Sequence, residues 1–170
     1  MVSRELEMPK FPTIGSNPKV SNLVVSPRPE DASALRMIFA GSPLDWKGVA
    51  TVEEARSWLA RCVSLPIVIC DRDLPDGGWR QLLQQTESLG SPPKFIVSSR
   101  FADEELWMEV LGAGGHDVLR TPFDACEVYR VVQFASEAWH LRWGRVARRN
   151  RSGNWLSKAL GSASAIGSAC

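Results

Sequence analysis

Leu65-Pro66-Ile67-Val68-Ile69-Cys70-Asp71-Arg72-Asp73-Leu74-Pro75-Asp76-Gly77-Gly78 is the stretch whose reading decides the fold. Ile67 to Cys70 is apolar at every position, with no alternation between an inner and an outer face. A short run of that kind, bounded by turn residues, is the mark of a strand covered on both sides, as in a parallel sheet. The run stops at Asp71, and Asp73, Pro75, Asp76, Gly77 and Gly78 then give a loop. Trp79 to Leu89 follows as a helix.

Moving toward the N-terminus, Thr51 is an N-cap, with Glu53 and Glu54 in the first turn where negative charge suits the helix dipole. Ala55, Trp58, Leu59 and Cys62 continue that helix. Trp46 to Ala50 reads as a weak strand before it. An earlier helix opens at Glu30 and Asp31, carries Leu35, Ile38 and Phe39, and ends at Gly41 and Pro43. Asn22 to Ser26 is the first strand, broken by Pro27 and Pro29, and residues 1–21, with Pro9, Pro12 and Pro18, form a mobile leader.

Moving toward the C-terminus, Gly90 to Pro93 turns the chain into a strand at Lys94 to Val97. Ala102 to Leu111 is a helix stopped by Gly112, Gly114 and Gly115. Asp117 to Arg120 is the last strand, and a long helix after Asp124 presents Val128, Val131, Val132, Ala135, Ala138 and Leu141 as its apolar face. The expected domain spans residues 22–141. Residues 142–170 are a tail, first basic and then rich in Gly, Ser and Ala, with disorder expected from Ser152 onward.

Five strands alternating with five helices specify an α/β fold with a parallel sheet and helices on both faces. Functional groups of such sheets gather in the crevice at the carboxyl ends of the strands. Ser26, Asp71, Ser98 and Thr121 each follow or end a strand, so they are expected to converge there.

The 170 residues carry a formal net charge of +1, with 44% hydrophobic and 23% charged residues, an ordinary globular composition without an overall bias toward nucleic acid or membrane. The charge is unevenly placed. No acidic residue follows Glu137, whereas Arg142, Arg145, Arg148, Arg149, Arg151 and Lys158 do. That basic tail, interleaved with tryptophan, suits an acidic partner, nucleic acid or an anionic membrane surface. It equally suits a solvated helix end. Cys62, Cys70, Cys126 and Cys170 show no metal-ligand spacing and read as reduced thiols. With no membrane span and no secretory apolar region, the expected location is the cytoplasm.

Three segments together resemble the receiver domains of response regulators. The first is Ile67 to Gly78, an apolar strand ending in aspartate and followed at Leu74-Pro75 by the family's Leu/Met-Pro. The second is Phe95-Ile96-Val97-Ser98-Ser99. The third is Ala113 to Phe123, similar to the family's Gly-Ala-x-x-Tyr/Phe-Leu-x-Lys-Pro-Phe stretch. The resemblance runs from about Asn22 to Leu141. It implies a flavodoxin-like, doubly wound sheet of strand order 2-1-3-4-5 and a role in two-component or phosphorelay signalling. Asp71 would be the phosphoacceptor, Ser98 and Thr121 would face the phosphate, and a Mg²⁺ site would include Asp71 and Asp73. The partner-binding face would include Trp107 and Val118, although burial of Trp107 is the expectation from its helix. The partners implied are a histidine kinase or a downstream signalling protein.

The departures from the family pattern weaken that site. Its two adjacent acids are Ser26 and Pro27 here, its lysine is Thr121, and its aromatic switch position is Val118. Without the acid pair, affinity for the metal falls. Without the lysine, a phosphoryl group loses a charge-assisted bond of ~1.5–3 kcal/mol. Glu30, Asp31 and Asp73 are candidates to rebuild a carboxylate cluster, and Arg72 or Arg120 to supply a cation. The expectation is a protein-interaction module with a degenerate phosphorylation site. The alternatives are a working response regulator phosphorylated on Asp71 and a basic-tailed nucleic-acid binder. No nucleophile–base constellation argues for an enzyme.

Overall fold

The computed structural model describes residues 20–62 and 65–148. The basic segment from 149 onward, Cys170, the Gly/Ser/Ala-rich end and most of the leader lie outside the described residues. In chain order the elements are β1 (Val20–Val25), α1 (Pro29–Ile38), β2 (Leu44–Val49), α2 (Val52–Leu59), β3 (Ile67–Asp71), β4 (Asp73–Leu74), β5 (Gly77–Gly78), α3 (Trp79–Glu87), β6 (Lys94–Ser99), α4 (Glu104–Gly112), β7 (Asp117–Arg120) and α5 (Ala125–Arg148).

The five long strands form one parallel sheet of order β2-β1-β3-β6-β7, and β4 and β5 pair as a small antiparallel hairpin. Numbering only the strands of the main sheet, this is the expected order 2-1-3-4-5. Alternation along each strand divides the core in two. Leu23, Val25, Val68, Cys70, Phe95, Val97 and Val118 face one layer with α2, α3 and α4. Val24, Ile67, Ile69, Ile96 and Leu119 face the other with α1 and α5. Ile67 to Asp71 are all buried, as the apolar run of β3 requires.

Several elements differ at their ends from the sequence reading. β1 begins at Val20, inside the expected leader. The edge strand β2 starts at Leu44, which pairs with Val20 of β1, and Trp46 packs against Phe39 with ring centroids 5.7 Å apart. A close approach of α1 supports the same strand: a Cβ at Gly48 would meet the Ala32 Cβ at 2.7 Å. Thr51 does cap α2, accepting the Glu54 N–H at 3.1 Å. α5 runs past Leu141 to Arg148. Leu141, assigned to the buried stripe, is instead 81% exposed. Trp139, two positions earlier, is the residue that turns inward, at 2%.

Candidate functional site

The side chains at the carboxyl edge follow from the alternation. In each of four strands the apolar layer facing α1 and α5 is succeeded, two residues on, by a polar residue. Ser26 follows Val24, Asp71 follows Ile69, Ser98 follows Ile96 and Thr121 follows Leu119. Backbone bonds hold these ends side by side: Ser26 N–H to Val49 O at 2.9 Å, Arg72 N–H to Ser98 O at 2.8 Å and Thr121 N–H to Ser99 O at 3.0 Å. Asp71 is the register partner of Ser98. All four residues are buried, and the Thr121–Pro122 peptide is cis. The expected convergence is therefore present.

What surrounds Asp71 differs from the expectation. One carboxylate oxygen accepts the Asp73 backbone N–H at 2.8 Å, and the other is ion-paired with the Arg28 guanidinium. The same Arg28 Nη2 lies 3.3 Å from Asp31 Oδ2. Ser26 Oγ donates to that Asp31 oxygen at 2.5 Å and accepts the Arg28 backbone N–H at 3.2 Å. The result is a closed network of two buried acids, one arginine and one hydroxyl.

Local sequence explains the placement of Arg28. It stands between Pro27 and Pro29, and a residue before proline is held in the extended region. Its φ of −103° and ψ of 110° fit that restriction at the N-cap of α1. Asp31 is three residues later, in the first turn of the helix, at the spacing where side chains meet.

The expected acid partner Asp73 thus gives way to Asp31, because the side chain of Asp73 is exposed and only its backbone N–H turns to the pocket. Arg72 and Arg120 are also exposed, and Glu30 with them; Arg28 is the cation present. The sequence reading passed over Arg28, whose signal was an Arg-x-x-Asp pair just past a strand end between two prolines. Ser98 Oγ and Thr121 Oγ1 have no hydrogen-bond partner among the described residues.

Burial pushes the Asp71 carboxyl above its ordinary value, outweighing the Asp73 N–H and Arg28, which pull it down; Asp31 and Asp73 add to the rise. Folding therefore favours the protonated form. That contribution is present in full below the unfolded value of 3.8 and is lost as pH rises through the raised folded value. Asp71→Asn should accordingly be at least as stable as wild type at neutral pH. Its advantage should shrink as pH falls toward 3.8, as read by urea unfolding of both proteins across that range.

A second feature lies across the sheet edge. Ala102, Asp103, Trp107, Val118, Arg120 and Glu127 line an open cavity of about 350 Å³ between α4, β7 and α5. Trp107 is 42% exposed, against the expected burial, and its indole N–H donates to Asp117 at 3.1 Å. Val118 is 8% exposed, a core residue that reaches the surface only as part of the cavity wall.

No protein-family model and no curated protein matches the chain. Solved structures do. The signal receiver domain of an HD domain-containing protein from Pseudomonas fluorescens Pf-5 aligns with a TM-score of 0.66 and 18% identity, over 79% of this chain and 99% of that one. The chain carries the receiver fold. The receiver domain of the Francisella response regulator 1452 aligns over 72% of this chain and 99% of its own, at 22% identity and a TM-score of 0.59. A CheY-like receiver protein from Methanospirillum hungatei JF-1 aligns over 73% and 98%, at 17% identity and a TM-score of 0.64. In this receiver fold Asp71 stands at the end of the central strand.

A receiver fold implies Mg²⁺, so the donor set must be tested against it. Mg²⁺ requires several oxygen ligands in near-octahedral array. Here the two buried carboxylates already share the guanidinium, and no group of three or more His, Cys, Asp or Glu among the described residues is arranged for a metal. With Arg28 in place, the residues do not fit the ion.

Proposed function

We propose that this chain is a receiver-like module of two-component signalling that acts through protein contacts and does not depend on phosphorylation of Asp71. The Arg28–Asp71 ion pair carries this reading. A phosphoacceptor carboxylate needs a free lone pair to attack phosphorus and cations to gather the incoming oxygens. The Arg28 guanidinium covers one oxygen of Asp71, and this cation, the one paired with Asp71 among the described residues, is already shared with Asp31 and so is not free to gather incoming phosphoryl oxygens.

The output in this reading is a protein partner, either a histidine kinase or a downstream signalling protein. Trp107, beside the cavity between α4 and α5, is its natural anchor, since exposed aromatics over a concave surface dominate binding energy. The module has no catalytic activity of its own and works in the cytoplasm. No helix among the described residues is long and apolar enough to cross a membrane.

The decisive measurement is intact mass after incubation with acetyl phosphate and Mg²⁺. Wild type is expected to gain no phosphate. Stoichiometric phosphate on wild type, absent from Asp71→Asn, would overturn the reading in favour of a working response regulator.

A further inference from the structure

We infer that Arg28 is a tethered counter-ion, holding the position between Asp31 and Asp71 where a divalent cation would otherwise bind. The pocket is thereby made indifferent to Mg²⁺. The inference deepens the functional reading and rests on its view of the pocket as metal-free, but it predicts cation binding rather than phosphate chemistry.

Three observations support it. First, one guanidinium nitrogen contacts both acids, so two carboxylate oxygens on different elements, α1 and β3, converge on a single cationic point. Such convergence of two buried like charges is repulsive unless a cation sits between them. Asp31 and Asp71 are 5% and 2% exposed, so solvent screens that repulsion poorly.

Second, Ser98 Oγ is buried at 1% exposure without a hydrogen-bond partner among the described residues, beside Asp71 on the same face of the sheet. Thr121 Oγ1 is in the same condition at the next strand end. The two hydroxyls extend the row of buried polar strand ends beyond the ion pair.

Third, the backbone holds the cation in place. Pro27 and Pro29 restrain Arg28, and its own N–H is fixed on Ser26, which in turn holds Asp31. Part of the entropy cost of placing the charge is met by the covalent chain. A metal ion must instead give up its hydration to enter.

The test is Mn²⁺ titration of the full chain by isothermal calorimetry, without any phosphodonor. Wild type and Arg28→Lys, which keeps the charge, are expected to show no binding. Arg28→Met is expected to bind measurably, at least about tenfold more tightly than the weakest binding the titration detects, because a fixed positive charge a few ångström from the ion is gone. Adding Asp31→Asn to that variant should abolish the gain. Where Arg28→Met does not fold, Arg28→Gln takes its place with the same expectation. Binding by wild type as tight as by the variant would overturn the inference, as would a folded neutral variant that gains nothing. The two readings fail separately. Phosphate gained by wild-type Asp71 from acetyl phosphate and Mg²⁺, with no Mn²⁺ binding by wild type in the titration, would refute the functional reading and leave the counter-ion standing, whereas Mn²⁺ binding by wild type without any phosphate on Asp71 would do the reverse.

Discussion

Arg28→Met, measured in EDTA by urea unfolding, should lose about 2–4 kcal/mol of stability, and adding Asp71→Asn should restore most of it. Removing one partner of a fully buried pair typically costs ~3–5 kcal/mol, because the other charge is left desolvated and alone. The lower range applies here because the Arg28 side chain is 23% exposed and part of its interaction is screened by water. Asp71 is the group left stranded, at 2% exposure. Its amide replacement carries no charge, so the double variant has nothing uncompensated at β3, and Asp31 keeps its bond from Ser26. The rescue separates this account from a simple packing defect. If the two substitutions were additive, the side-chain stem of Arg28 and not its charge would be what matters.

Trp46→Ala should cost about 3–5 kcal/mol, the range for deleting a large aromatic from a core. Trp46 is 2% exposed on an edge strand whose other side chains are exposed or only partly buried. It packs on Phe39, which also stacks on Tyr129 of α5 with centroids 6.1 Å apart. The indole therefore joins β2 to α1 and, through Phe39, to α5. Its loss should also raise hydrogen exchange in β2 ahead of the rest of the sheet, since an edge strand with no apolar anchor opens locally. Uniform exchange across all five strands would argue against this role.

The parts of the fold readable from the sequence are those where one physical demand dominates. Ile67 to Cys70 are fully buried, and a strand covered on both faces favours apolar residues at successive positions, so the pattern is clear. Thr51 caps α2 because its hydroxyl and the two glutamates after it serve the same helix end. β2 was legible only as a weak strand because an edge strand has solvent on one side and needs a single anchor. Leu141 misled because helical spacing on α5 continues past the point where the sheet stops offering cover.

The site was legible in its positions and not in its chemistry. Ser26, Asp71, Ser98 and Thr121 converge because strand periodicity fixes them, whatever their side chains are. The partner of Asp71 depends on where one turn of α1 begins, and that is set by two prolines acting on Arg28, three residues from Asp31. Exposure of Asp73 and Trp107 is likewise a matter of loop and helix orientation, which residue spacing does not record.

Asp76 gives the pocket one more property. Both oxygens of its carboxylate accept backbone N–H groups at the start of α2, from Val52 at 2.8 Å and Glu53 at 3.0 Å, and these bonds hold its pKa below the ordinary range. The loop that begins at Asp71 is thus fastened at its other end to a helix packed on the opposite side of the sheet. Between the two anchorages lie only four residues, two of them in the β4 strand. Slack is scarce in so short a strap, so the carboxyl end of β3 and the leading turn of α2 are held in a fixed relation across the two faces of the sheet.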